Sequence, residues 1–310
     1  MNSYEKYNLN KYNGLNNCFF SSAITICDYF GVDECKKGIA LLYPYSIGNT
    51  TPIQLSVENN GENISELLNL SCVNYLTRNC QTNLIGTIIN DLDEKKPVML
   101  YIDCFYDSMS KFSFGRFHLR HYIIVCDYIV EENSFWIVQH DYANENTYTY
   151  RKISFKELEN CYYGGLKHFK QKKSTYFWFY KSNDKDLHTK SISNNSLLYE
   201  YKHSTDVLEQ FLQFFFVCVK ENVSDVYLAP FVKNFNEILQ VKKTLATFYI
   251  NEVGESDNLT QAVSKIAYAW EQLYQIVKNE SRTINDISKS ISDIIGCESG
   301  LCIKLGKLFE

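Results

Sequence analysis

Residues 121–141 read HYIIVCDYIVEENSFWIVQHD and contain two apolar runs separated by a short polar segment. The runs His121–Val130 and Ser134–His140 are rich in β-branched and aromatic residues, which favour strands. The polar segment Glu131–Asn133 between them supplies a turn. The pattern predicts an antiparallel β-hairpin, in which the start of the first strand lies near the end of the second.

The rest of the N-terminal half mixes short helical and strand patterns. Apolar residues recur at helical spacing in some segments and form short continuous runs in others. The predicted helices are Cys18–Phe30, Ile64–Thr77, Thr82–Asp93 and Ser154–Cys161, and the further strands are Pro97–Asp103 and Thr175–Lys181. Together with the hairpin, these elements predict an α+β fold with an antiparallel sheet.

The pattern changes across the polar, turn-forming stretch between Ser182 and Ser196. Downstream of it, apolar residues recur at helical spacing. The predicted helices are Asp206–Asn222, Phe231–Asn251, Leu259–Asn279 and Thr283–Ile295, the last ending near Gly296, with Leu301–Phe309 adding a turn or two. We therefore predict an α+β domain over 1–182, a linker over 183–196 and an all-α helical bundle over 197–310.

Charge and hydropathy exclude two classes of partner. The 310-residue chain has a net charge of −5, and its most basic run, residues 167–173, is typical of a solvated loop rather than a nucleic-acid-binding stripe. The longest apolar run, Phe214–Val219, is far too short to cross a bilayer. Residues 1–17 are polar and lack the apolar core of a secretion signal. We therefore expect a cytoplasmic protein without nucleic-acid or membrane partners.

The eleven cysteines are irregularly spaced and include no Cys-x-x-Cys pair. Cys297 and Cys302 have no second pair of ligands near them, so the sequence predicts no metal site. In a reducing compartment most of these residues are buried small hydrophobes. The question is whether one of them is a nucleophile.

Cys18 is the cysteine whose position suggests chemistry. It begins the predicted helix 18–30, which Asn16 or Asn17 can cap and Gly31 can end. Unpaired N–H groups at a helix N-terminus stabilise a thiolate, so we expect a lowered pKa for Cys18. The same groups can bind the oxyanion of a tetrahedral intermediate. A buried, unreactive cysteine at a helix start is the alternative interpretation.

A thiol nucleophile needs a base, and the hairpin provides one. His121 opens the first strand, and Asp141 directly follows the second, so the antiparallel pairing places them near each other. A carboxylate in that position fixes the imidazole tautomer and stabilises the imidazolium. Cys18, His121 and Asp141 therefore form a candidate catalytic triad in chain order.

Other histidines and acids flank the same hairpin. His140 and Asp141 point to opposite faces by strand alternation, so only one of them can enter the site. His118, in the loop before the hairpin, is a candidate for contacting substrate. Asp103 ends its strand near the same edge of the sheet and is a candidate for holding a loop or a substrate amine, whereas Asp127 suits a turn.

Several short motifs resemble one protein family. Residues 17–23 (NCFFSSA) followed by 29–31 (YFG), residues 101–106 (YIDCFY), residues 120–125 (RHYIIV) and residues 138–141 (VQHD) occur in this order. They resemble the N-terminal region of the butirosin biosynthesis protein H family. The last two motifs are also similar to the His and Asp strands of bacteriocin leader peptidases. Both belong to the papain-like group, and the similarity covers roughly Asn13–Tyr180.

The resemblance implies a papain-like catalytic domain over 1–182 with the helix of Cys18 as its nucleophile helix. Papain-like peptidases often carry a Gln six residues before the cysteine to complete the oxyanion hole, and this position is Tyr12 here. Asn13, Asn16 or Asn17 can supply the amide instead, and Asn13 and Asn17 are the predicted oxyanion-hole residues. The strand reads Val125-Cys126-Asp127 where a Gly often stands. Neither departure removes the nucleophile or the base.

The family's named member is an acyltransferase that moves an acyl group from a carrier-protein thioester to an amine in antibiotic biosynthesis. The resemblance thus implies a transferase acting on a substrate tethered to the phosphopantetheine of an acyl or peptidyl carrier protein, in specialised-metabolite or nonribosomal peptide biosynthesis. It also implies a small amine as acceptor and no cofactor. We expect the aromatic loop 105–117 to act as a lid. The alternatives are hydrolysis by the same triad, as in a peptidase or amidase, and a catalytically silent binding module.

Overall fold

The structure is a computed structural model that describes residues 18–48, 54–57, 64–78, 80–140, 148–170, 175–182, 196–221, 225–279 and 283–309. By its packing the chain divides into two compact units. The first comprises residues 1–33 and 71–185, and the second comprises residues 34–70 and 186–310. Mixed α/β structure, with an antiparallel sheet upstream and helices downstream, agrees with the predicted fold class.

The first unit is built on a six-stranded, fully antiparallel sheet of order β3-β8-β4-β5-β6-β7. Its strands are β3 Val73–Arg78, β4 Val98–Asp103, β5 Arg120–Ile129, β6 Ser134–His140, β7 Tyr148–Ser154 and β8 Tyr176–Lys181. Its helices are α1 Cys18–Tyr29, α4 Leu84–Asp93 and α5 Phe155–Phe169, with a 3-10 turn at Cys104–Tyr106. The predicted hairpin is confirmed as β5 and β6, with a bulge between Val125 and Asp127.

The two faces of this sheet pack against different helices. On one face, Leu100 of β4 and Ile123 of β5 join Ile88 of α4 and Leu158 of α5 in a buried apolar cluster. On the other face, Tyr122 of β5 contacts α1, whose Ala23, Ile24 and Cys27 are buried. Since successive strand residues alternate between faces, the register decides which site residues can meet.

The predicted helix 64–77 is wrong in its second half. Helix α3 spans only Ile64–Leu70, and residues 73–78 form strand β3. Cys72 has a φ of 57°, a left-handed conformation that ends a right-handed helix. Pairing with β8 then provides hydrogen-bond partners for the backbone of Val73–Arg78. This pairing joins segments about 100 residues apart, so no local sequence pattern could indicate it. Strand β7 was also not predicted, and α5 is longer than the predicted helix 154–161.

The second unit is mainly helical. Its long helices are α6 Ser196–Lys220, α7 Asp225–Glu252, α8 Asn258–Lys278 and α9 Ile284–Leu308. It also contains helices α2 Glu34–Lys37 and α3, a 3-10 turn at Ile39–Leu42, and a two-stranded sheet of β1 Tyr45–Gly48 and β2 Gln54–Val57. Helix α9 continues through Gly296, where the sequence predicted its end, because a single glycine only weakens a helix. No helix among the described ranges is both long and apolar enough to cross a membrane.

Residues 34–70 belong by their packing to the second unit, although the predicted domain 1–182 contained them. Three contacts account for this. Tyr249 of α7 donates its hydroxyl to Lys37 O (2.5 Å), Asn234 of α7 accepts from Leu55 N (3.0 Å), and Tyr45 donates to Glu298 of α9. The predicted linker 183–196 lies outside the described residues except for Ser196, and the proposed domain boundaries stay a prediction.

A buried polar network ties the second unit together. Nζ of Lys242 in α7 lies 2.9 Å from Oε1 of Glu298 in α9, and both side chains are almost fully buried. The hydroxyls of Tyr45 and Tyr201 donate to Glu298, and the Trp270 indole donates to the Tyr45 hydroxyl at 3.1 Å. Lys242 also stands over the Tyr45 ring, 4.3 Å from its centroid. Every charge in the network is therefore paired and hydrogen-bonded, as buried charges require.

Candidate functional site

Cys18 is the first residue of α1, as predicted, and its side chain is partly buried. The adjacent residue, Phe19, anchors the helix start on the sheet. Its ring packs edge-on against Tyr122 at 5.0 Å, Phe177 at 5.2 Å and Tyr75 at 6.3 Å between centroids. These aromatic contacts place the thiol against strand β5.

The pKa of the Cys18 thiol is raised, not lowered. Burial raises the pKa because it disfavours the thiolate, and the backbone N–H groups of Tyr122, Phe19 and Cys18 lower it by a smaller amount. The expected lowering by the helix N-terminus is therefore wrong in its net direction. The N–H groups at the helix start lower the pKa as anticipated, but the loss of hydration raises it by more. A thiol in this setting needs a base to become a nucleophile.

His121 is buried and lies at the start of β5. Its Cα is paired with Ile102, and the neighbouring pair is Tyr101 with Tyr122. Alternation therefore assigns His121 to the face of Ile123, which packs toward α4 and α5, whereas Tyr122 faces α1. The register thus separates His121 from the face that carries Cys18. Asp141 lies outside the described residues, and the triad stays a prediction.

The end of β6 offers a second histidine position. The Cα of His140 is paired with Tyr148, and Val138, two residues earlier, is paired with Ile124. Position 140 therefore belongs by alternation to the same sheet face as Tyr122. Tyr148 itself lies beside Ser21 and Ser22 of α1, and burial raises the pKa of its hydroxyl, with the nearby Cys18 thiol adding to the effect.

The two predicted substrate-binding residues, Asp103 and His118, contact each other. Nδ1 of His118 lies 2.6 Å from Oδ2 of Asp103, whose side chain is fully buried, while that of His118 is 29% exposed. Oδ1 of Asp103 accepts a hydrogen bond from Phe105 N at 3.0 Å. The imidazole of His118 is stacked between Phe105, at 4.3 Å, and His168 of α5, at 3.4 Å. The sequence suggested both residues individually, but not their pairing or the stacking on His168.

Two glycines let α5 approach this pair. A Cβ added at Gly165 would lie 3.3 Å from Asp103 N, and one at Gly164 would overlap the ring of Tyr106. The close approach brings His168 and Phe169 over the end of β4, where Phe169 packs against Tyr101 at 5.9 Å. The glycines therefore set the geometry around the imidazole.

Tyr101 connects this pair with the cysteine and was missed by sequence reasoning. Its ring packs on Tyr122 at 5.2 Å, and its hydroxyl is buried without a hydrogen-bond partner in the described part of the chain. Burial raises its pKa to about 12; Arg120 lowers the pKa, while Asp103 and Cys18 raise it. The hydroxyl therefore lies within electrostatic reach of both groups and stays protonated at neutral pH. One tyrosine among 24 carries no sequence signal for such a role.

The aromatic loop predicted as a lid has a defined conformation. Arg151 of β7 donates to the buried Asp107 carboxylate at 2.6 Å, and Gly115 N donates to Phe105 O at 2.9 Å. The loop nevertheless exposes large apolar side chains, including Phe112 at 67% and Phe117 at 51%. Its closure over the site stays a prediction.

The structure does not test the remaining site predictions. Asn13 and Asn17, the predicted oxyanion-hole residues, lie outside the described residues. Within the ranges that are described, no group of three or more His, Cys, Asp or Glu side chains could hold a metal ion. A groove of about 410 Å³ in the second unit, between α8 and α9, is lined by Lys265, Cys297 and Lys304 among others, and none of the predicted site residues lines it.

Comparison with known proteins adds no assignment. The sequence matches no protein-family model, and no curated protein is significantly similar to it. The resemblance to the butirosin biosynthesis protein H family therefore stays a prediction that rests on the short motifs themselves.

Proposed function

We propose that this chain is a cysteine-dependent acyltransferase, in which Cys18 accepts an acyl group from a thioester and transfers it to an amine. The observation that carries the proposal is the setting of Cys18. Its thiol is at the start of a helix, against strand β5, and backbone N–H groups from these two elements lower its pKa against the effect of burial. Such donors stabilise both a thiolate and the oxyanion that forms when a thiol attacks a carbonyl.

The first half-reaction forms an acyl-enzyme. Cys18 loses its proton to a base and attacks the carbonyl carbon, a C–S bond forms, and the donor leaves as a thiol after taking up a proton. The buried Tyr101 hydroxyl is a further candidate donor for the oxyanion, because its raised pKa keeps it protonated. The base predicted from the sequence is His121, oriented by Asp141. His140, whose position belongs to the face of Tyr122, is the alternative.

The resemblance supports the nature of the substrates. A carrier-protein thioester is the proposed donor and a small amine the proposed acceptor, so the product is an amide. A thioester has a good leaving group, so little acid catalysis is needed for its departure. A papain-like arrangement of the first unit and a cytoplasmic location belong to the same proposal.

Two observations favour the silent binding module as a second candidate. Burial raises the Cys18 pKa, and the strand register assigns His121 to the opposite sheet face. A cysteine without an activating base would be an unreactive core residue. In this case the first unit would bind a peptide or a carrier domain without chemistry.

Intact-protein mass spectrometry separates the candidates. Incubation with a simple acyl thioester, such as an N-acetylcysteamine thioester, is expected to add one acyl group at Cys18, and an added amine is expected to release it as an amide. Cys18→Ala is expected to lose the adduct and turnover while keeping the fold, with Cys302→Ala as a matched control for a second partly buried cysteine. Turnover by Cys18→Ala would exclude covalent catalysis at this residue. Release of only the free acid would favour a hydrolase.

A further inference from the structure

The contact between Asp103 and His118 has the features of an oriented acid–base pair. The Asp103 carboxylate is fully buried, and both of its oxygens accept hydrogen bonds, from Phe105 N and from Nδ1 of His118. A carboxylate at Nδ1 holds the proton on that nitrogen, which leaves Nε2 of the neutral imidazole as a proton acceptor. No residue in the described ranges hydrogen-bonds to Nε2 of His118.

Stacking fixes the plane of this imidazole. The Phe105 ring lies parallel to it, with an interplanar angle of 7°, and the His168 ring lies parallel on the other side, at 4°. The ring can therefore neither tilt nor turn away without breaking these contacts and the bond to Asp103. Nevertheless, 29% of the His118 side chain remains exposed, so a substrate group can approach it. A purely structural histidine would not need this access.

By its strand register, Asp103 belongs to the sheet face that carries Cys18. Asp103 is paired with Arg120, and Tyr101 with Tyr122, whose ring packs on Phe19, the residue next to Cys18. Two residues along a strand span about 7 Å, so the carboxylate lies about this far along the face from the Tyr101–Tyr122 pair. Residues two apart share a face, which places Asp103 on the face of Tyr101.

A base that acts on the second substrate does not need to contact the Cys18 sulfur. An attacking nitrogen approaches a carbonyl carbon to about 3 Å, and a base accepts its proton over about 3 Å. Adding the carbon–sulfur bond of an acyl-enzyme gives a span of about 8 Å between the sulfur and the base. Tyr101, which lies within electrostatic reach of both Cys18 and Asp103, is the residue between the two groups. Direct removal of the thiol proton would need a contact of about 3 Å instead.

We propose that His118, positioned by Asp103, is the general base that activates the acyl acceptor. This inference rests on the proposed acyl transfer by Cys18. The acceptor nitrogen attacks the carbonyl carbon of the acyl-enzyme, forming the C–N bond, and its proton passes to Nε2 of His118. The C–S bond breaks and its electron pair returns to the Cys18 sulfur, which takes up a proton from solvent, while Nε2 of His118 gives its proton to solvent.

Pre-steady-state kinetics with p-nitrophenyl acetate test the proposal in the full-length protein. The burst of p-nitrophenolate measures formation of the acyl-enzyme, and the steady-state rate with glycinamide as acceptor measures its breakdown. His118→Asn is expected to retain the burst and to slow breakdown about 100-fold or more, the usual contribution of a general base. Asp103→Asn, which removes the positioning carboxylate, is expected to slow the same step. Free imidazole is expected to restore breakdown in His118→Ala, a rescue that a structural role would not produce.

The control is His203→Asn, which replaces an exposed histidine of α6 in the other unit. Breakdown at the wild-type rate in His118→Asn, with a normal burst, would overturn the inference and leave the proposed function standing. Absence of a burst in the wild type would overturn the proposed function and this inference with it. If His118→Asn fails to fold, the solvent isotope effect on breakdown in the wild type provides the test, since its absence excludes a general base in this step.

Discussion

Replacing Glu298 with Gln leaves the Lys242 ammonium buried without its counter-charge. The two charged atoms are 2.9 Å apart, and at an effective dielectric constant of about 20 their attraction is about 6 kcal/mol. Part of it offsets the desolvation of both groups, so breaking the pair by one substitution is expected to lower the free energy of unfolding by about 3–5 kcal/mol. The double variant Lys242→Met with Glu298→Gln carries no buried charge and is expected to recover at least about 2 kcal/mol of this loss.

Urea denaturation followed by circular dichroism at 222 nm measures these differences in the helical unit. The pair Lys243–Glu271 is a matched control, because Lys243 is the neighbour of Lys242 in α7 and lies at a similar distance, 2.8 Å, from Glu271 of α8, but both side chains of this pair are exposed. Lys243→Met is expected to change the free energy of unfolding by less than about 1 kcal/mol. Strict additivity of the Lys242 and Glu298 substitutions would refute the reasoning, since it would mean that the two charges do not interact.

Two further predictions concern helix glycines and the reactivity of Cys18. Gly164→Ala is expected to destabilise the protein by about 1–3 kcal/mol, because the new Cβ would overlap the Tyr106 ring; Gly296→Ala, where nothing lies within 4 Å, is expected to stabilise α9 by up to about 1 kcal/mol. Thermal denaturation compares them, and equal effects would contradict the packing argument. Burial raises the Cys18 pKa, so its alkylation by iodoacetamide is expected to rise only above the pH at which a free thiol reacts. A profile shifted to lower pH, read by peptide mass spectrometry, would show that a base activates the thiol in the free protein.

The raised Cys18 pKa also links stability to pH. A group whose folded pKa exceeds its unfolded value contributes stability below the unfolded pKa, and this contribution is lost as pH rises toward the folded value. For Cys18 the loss therefore begins as the pH rises through the ordinary thiol pKa and ends at the raised folded pKa, so the contribution is present at neutral pH. A reactive thiolate at neutral pH would need a proton acceptor that substrate binding brings into contact with the sulfur.

The hairpin and the long helices could be predicted because their signals are local. Alternating and β-branched residues around a three-residue turn indicate β5 and β6 wherever the chain packs. The boundary errors have physical causes. Residues 73–78 become a strand because β8 is available to pair with them, and α9 passes Gly296 because packing offsets the low helix propensity of glycine.

The site residues likewise include some that the local sequence indicates and others that only the packing brings together. The sequence alone predicts that Cys18 begins a helix. It also indicates Asp103 and His118, near the hairpin, as candidate site residues. The pairing of Asp103 with His118, its stacking between two rings and the role of Tyr101 depend on α5 closing over the end of β4. The Gly164–Gly165 step permits this approach, yet in the sequence it is an ordinary pair of glycines within a helix.

The sequence by itself determined the α+β class, the hairpin, the helical C-terminal half and the presence of a cysteine at a helix N-terminus. Each of these depends on patterns among residues that are close together in the sequence. Tertiary structure alone decided which sheet face His121 occupies, because a strand register depends on its partner strand. It also decided the sign of the Cys18 pKa shift. Burial is a property of the packed fold, and here its effect on the thiolate exceeds that of the local N–H groups.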